Sequence, residues 1–131
     1  MASAIDIGVA AALAATAVTD IVADRIFPIV APQTSASPNI IVSIISEHDD
    51  ILLSGHSAKY PNARVSFVCR GDSATDILNL GDALKASLEN ISNASIAGQI
   101  ATFFKTSTDV TGFADTPPIF ERTIDFMIRW R

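Results

Sequence analysis

The segment "IFERTIDFMIRWR", Ile119 to Arg131, alternates with a period of two along its whole length. Phe120, Ile124, Phe126, Ile128 and Trp130 share one face, with Arg122 as the sole polar member. Glu121, Thr123, Asp125, Arg129 and Arg131 take the other. Successive side chains of a strand project to opposite sides of a sheet, so this pattern predicts a half-buried antiparallel strand.

Three other segments read as strands. "RVSFVCR", Arg64 to Arg70, sets Val65, Phe67 and Cys69 against Arg64, Ser66 and Arg70. "NIIVSIIS", Asn39 to Ser46, is β-branched and apolar on both faces except at Ser43. It predicts a strand covered on both sides, or one with a partner subunit against its second face. "SIAGQIATFFKTS" reads as a further strand in which Gly98 marks a bulge. There Phe103 and Phe104 point to opposite sides, and the outward ring meets either a helix or another subunit. "STDVTGFADTPP", Ser107 to Pro118, reads as a turn-rich loop.

Two helices complete the list. Ser3 and Asp6 suit a helix start, and Ile5, Val9, Ala12, Leu13 and Thr16 mark one face of a helix ending near 19–23. After Gly71, Asp72 and Ser73, which offer a polar cap, Ile77, Gly81, Leu84, Leu88 and Ile91 form a core stripe. Asp76, Asn79, Asp82, Lys85 and Glu89 lie opposite, and Asn93 is a stop signal. Between the first helix and the first strand, Pro28, Pro32 and Pro38 argue against regular structure. The expected fold is a single α+β domain, 1–131, with two layers. It has a four-stranded, mainly antiparallel sheet and two helices on one face, in the order α-β-β-α-β-β.

Composition narrows the function. With 131 residues, 49% of them hydrophobic, the chain has material for one real core. A net charge of −5 without a Lys/Arg cluster argues against a protein that grips phosphate backbones. The apolar N-terminal run has no basic flank and is interrupted by Asp6, so it reads as neither signal peptide nor membrane span, and no membrane partner is expected. Cys69 is the only cysteine and lies in a strand pattern, where a buried inert thiol is expected.

Catalytic constellations are hard to find. His48 and His56, with Glu47, Asp49 and Asp50, offer N and O ligands, and a small metal-dependent hydrolase would have to centre on them. Their spacing matches no zinc signature, and a solvated loop is the preferred reading. Ser54 and Ser57 flank His56 without a nucleophile elbow, and no phosphate-binding glycine motif is present. The expectation is a non-enzyme with no cofactor and no metal. Few charges and apolar residues in excess of one core favour assembly.

The stretch "ADRIFPIVAPQTSASPNIIVSI" resembles the opening of the tail-completion, or tail-terminator, proteins of long-tailed bacteriophages and phage-like gene transfer particles. Asp24, Arg25, Ile26, Phe27, Pro28, Ala31, Pro32, Gln33 and Pro38 carry the likeness. "ARVSFVCRGDSATDILNLGDALKASL" and "RTIDFMIRW" continue it, so that it covers almost the whole chain; Asn39 and Phe113 depart from the family pattern. The resemblance implies a structural virion protein at the head–tail junction, assembled in the bacterial host cytoplasm. It would form a ring, commonly hexameric, on the head-proximal end of the tail tube. Its partners would be copies of itself, the major tail tube protein and a head-completion or stopper protein, with DNA passing through the channel without specific binding. The alternative in the same class is a head-side adaptor or stopper of the neck. Candidate contacts are Arg25, Phe27, Pro28, Pro32, Gln33, His48, Asp49, Asp50 and Phe113, with the connector from Asp24 to Pro38 acting as a stiff arm.

Overall fold

The alternating segments pair into one mixed, curled sheet that forms a half-barrel. The computed structural model describes residues 4–30, 38–48, 62–115 and 118–130. Along the chain come α1 (Ala4–Ala14), α2 (Thr16–Val22), β1 (Ile26–Pro28), β2 (Asn39–His48) and β3 (Asn62–Gly71). They are followed by α3 (Ala74–Leu88), β4 (Ala94–Ile96), β5 (Gln99–Asp115) and β6 (Pro118–Trp130). The described strands stand in the spatial order β1-β2-β3-β6-β5-β4. β1 runs parallel to β2, and every other adjacent pair is antiparallel.

The expected four-stranded sheet with two helices is therefore wrong, for identifiable reasons. The first helix is two, bent by 86° at Ala15, whose extended backbone begins α2. No proline or glycine stands at the break. Tertiary packing sets it, because the turn carries Val18 and Val22 fully into the core. The buried side of α1 is also not the expected one. Ala4, Ile7, Gly8, Ala11 and Ala12 face inward, while Leu13 is largely exposed. Small residues make that contact close: a Cβ on Gly8 would lie 3.2 Å from Val42 and 3.3 Å from Phe67.

The proline-rich connector opens with a strand. β1 is only three residues long, and Pro28 is tolerated because it sits at the end of an edge strand. The segment expected as one bulged strand is a hairpin. Ala97 and Gly98 both take positive φ, 51° and 79°, as the two central residues of a type I′ turn require. Most of the expected loop from Ser107 to Pro118 is strand, since β5 runs to Asp115 and pairs with β6 almost throughout. Its threonine, valine and phenylalanine content outweighs Asp109 and Gly112 as turn signals. A register shift between Lys105 and Asp109 absorbs the irregularity.

β3, β6 and α3 follow the expected pattern closely. Val65, Phe67, Cys69, Ile124, Phe126, Ile128 and Trp130 are buried, as are Ile77, Leu80, Gly81, Leu84 and Leu88. Phe126 centres the core, with edge-to-face contacts to Phe67 at 5.8 Å and Phe103 at 6.2 Å. α3 starts after Ser73 as expected, but the Ser73 hydroxyl makes no capping bond.

Candidate assembly surface

Arg122, the one polar residue on the buried face of β6, ties the sheet to α3. Its guanidinium donates to both carboxylate oxygens of Asp109 on β5, at 2.9 and 2.8 Å. It also donates to the Leu78 carbonyl at 2.8 Å and to Asp82 at 3.0 Å, both on α3. Lys85 of α3 donates to Asp109 at 3.0 Å. The fit needs Gly81: a Cβ there would stand 2.6 Å from Arg122 Cδ and Nη1. The Arg122 hydrogen bonds hold the Asp109 carboxyl well below the usual carboxylate range, and Asp109 in turn raises the Arg122 guanidinium further. With every contact satisfied inside the subunit, the cluster is a clamp between layers.

The other face of the sheet carries a second ion pair. Arg64 donates to Asp125 Oδ2 at 2.9 and 3.1 Å, while the buried Oδ1 has no hydrogen-bond partner among the described residues. Cys69 is buried beneath the helices, and desolvation pushes its thiol up to about 12, which suits an inert core residue. An open groove of about 590 Å³ lies beside α1 and β4, walled by Ala10, Ala14, Ser87, Ile91, Ala94 and Ile96. Among the described residues that line it, small and apolar side chains predominate, with Ser87 and Ser95 the polar ones.

Among the candidate contact residues, Arg25 has an internal role. Its Nε donates to the Pro38 carbonyl at 2.9 Å, closing the two ends of the connector on each other. Phe27 is half-buried and pairs in register with Ile41; Pro28 is exposed. Ile29 follows at φ 68°, its N–H bonded to the Val42 carbonyl, so that Ile29 and Val30 are held exposed. Phe113 is 54% exposed and its ring lies 4.7 Å from that of Phe120. His48 ends β2. Pro32, Gln33, Asp49, Asp50 and His56 lie outside the described residues. Among the described residues, no group of three or more His, Cys, Asp or Glu side chains could hold a metal, and no single helix is long and apolar enough to cross a membrane.

Sequence reasoning missed the concentration of exposed apolar residues on one strand. Ile100, Phe104, Val110 and Phe113 all lie on β5. The doublet Phe103–Phe104 was the available signal: Phe103 is buried and Phe104 is 48% exposed.

No protein-family profile and no curated protein matches the chain. Among solved structures it is similar to a chain of the "Virion of native gene transfer agent (GTA) particle", with a TM-score of 0.60 and 12% sequence identity. The match covers 89% of this chain and 86% of that one. At that identity the likeness establishes a shared fold, spanning both chains almost end to end.

Proposed function

We propose that the chain is a structural protein of a phage-like virion, forming a ring at the head-proximal end of the tail tube. There it ends tube polymerisation and provides the surface that joins tail to head, with DNA passing through the ring. The observation that carries this reading is the near-complete fold match to a gene transfer agent virion chain. The resemblance of the connector and closing strand to tail terminators points the same way, and so does a sheet whose apolar residues crowd one strand.

A tail terminator works by geometry, with no bond made or broken. Its ring presents one surface to the last tube ring and a different one to the neck, so no further tube subunit can add. Closure of a heterologous contact into a ring prevents runaway growth of the terminator itself. A net charge of −5 suits a channel that must let DNA slide without sticking. The test is to add purified protein to polymerising tail tube protein and measure tube lengths by negative-stain microscopy. Growth should stop, with added density at one end of each tube. Tubes that keep growing with bare ends would refute the terminator role. Binding to neck components but not to tubes would identify an adaptor instead.

A further inference from the structure

We infer that copies of this chain join margin to margin, with Ile29, Val30 and Ile45 of one copy packed on Val110 and Phe113 of the next. The inference rests on the ring reading above and names its contact. Exposure comes first. Among the described residues nine large apolar side chains are exposed, and seven of them stand at the two margins of the sheet. Ile29, Val30 and Ile45 lie at the β1–β2 margin, the first two 68% and 71% exposed. Ile100, Phe104, Val110 and Phe113 lie on β5 at the other margin. Apolar residues scattered singly mean little, but grouping at two places marks surfaces that another protein covers.

The first margin is held outward by strain. The Val30 N–H donates to the Pro28 carbonyl at 2.7 Å, across Ile29 at φ 68°. This is the γ-turn of positive φ, rare in general and least tolerated by a β-branched residue. The Ile29 N–H donates to the Val42 carbonyl at 2.8 Å, so the chain leaves β1 alongside β2, heading toward Ile45. Backbone strain of this kind clusters at functional sites. Here it presents two aliphatic side chains to solvent.

Side chains, rather than strand pairing, make the contact. Pro28 has no N–H and the Ile26 N–H is taken by the Asp24 carbonyl, so β1 is a poor template for a further strand. On β5 the Phe103 N–H donates to the Ile91 carbonyl at 3.1 Å, and the Asn93 N–H donates to Thr102 Oγ1 at 2.9 Å. Val110 and Phe113 lie beyond that occupied stretch and project to opposite faces of the strand, so a partner must wrap the margin to cover both. No charge occurs from Val110 to Ala114, at Ile29 and Val30, or from Ser43 to Ser46. Joining the two patches therefore takes none of their own charges out of water, which would be costly.

Two unlike patches at opposite margins define a heterologous contact, the kind that a ring closes. They serve as its anchors, within the roughly 800 Å² per partner that a stable contact covers. By register Val110 stands level with Thr123, Val68 and Ile41, and Ile45 lies four residues further along β2. That step, about 13 Å along the strand against about 19 Å across four strands, inclines the strands by about 35° to the ring axis, close to the tilt of closed sheets.

The experiment measures self-association by sedimentation velocity, with circular dichroism as the fold control. Val30→Lys spoils one patch and Val110→Lys the other. Each should weaken association about tenfold, so that near the wild-type midpoint either variant alone runs as monomer. Mixed in equal amounts they should form a one-to-one dimer that grows no further, since each keeps the patch the other has lost. Ile29→Gly accepts the positive φ, so it should weaken association while leaving the urea midpoint at or above that of the wild type. A wild type that stays monomeric at every concentration reached would overturn the contact. So would lysine variants that assemble unaided, a mixture that stays monomeric, or an Ile29→Gly chain that unfolds more easily yet associates normally. In each of these cases a protein that still caps tubes keeps its proposed function and loses only this contact.

Discussion

Replacing Arg122 with alanine should lower the unfolding free energy by about 3 kcal/mol, seen as a lower urea midpoint at unchanged slope. The guanidinium is almost wholly buried and makes four hydrogen bonds, two to Asp109 and one each to Asp82 and the Leu78 carbonyl. Alanine removes all four and leaves a cavity between α3 and the sheet. The loss stays below the upper range for a broken buried pair because Asp109 keeps Lys85 and some contact with water. The effect depends on pH. Asp109 has a depressed folded-state pKa, so its contribution is present above the unfolded value, about 3.9, and fades as pH falls below it. The gap between wild type and variant should be full at pH 7 and shrink below about pH 4. A gap that persists unchanged in acid would show that packing, rather than the carboxylate, carries the effect.

Gly81→Ala should destabilise by about 2 kcal/mol, although alanine favours a helix over glycine by about 1 kcal/mol. The added methyl meets Arg122 Cδ at 2.6 Å and Nε at 2.8 Å, so the arginine must leave the geometry that satisfies its bonds. Steric conflict with one side chain makes a sharp prediction about coupling. Combined with Arg122→Ala, the Gly81 substitution should cost nothing further and recover its helical preference. Thermal or urea denaturation of the four chains gives the coupling energy directly. Additive losses would mean that Gly81 matters for its backbone alone.

How much of this was readable beforehand depends on where each signal resides. β6, β3 and α3 were legible because burial on one face imposes a period on the residues themselves. Arg122 stood out for the same reason, as the lone polar residue of an apolar face. Its partners did not, since Asp109 and Asp82 reach it only through the β5–β6 pairing and the packing of α3. The break at Ala15 left no mark because alanine accepts helix and turn alike. β5 was misread since Asp109 and Gly112 resemble turn residues in isolation, while a long hairpin partner holds them extended. Among the candidate contacts, the Arg25 bond to the Pro38 carbonyl spans the connector and leaves no local pattern, and the exposed apolar side chains of β5 show only once the strand is placed in the sheet.

The most direct test of the central claim is to delete this gene from the particle that encodes it and measure tail lengths by electron microscopy. If the chain is the ring that ends the tube, particles lacking it carry tails of overlong and variable length without attached heads. Tails of normal length, whether joined to heads or not, would contradict the account.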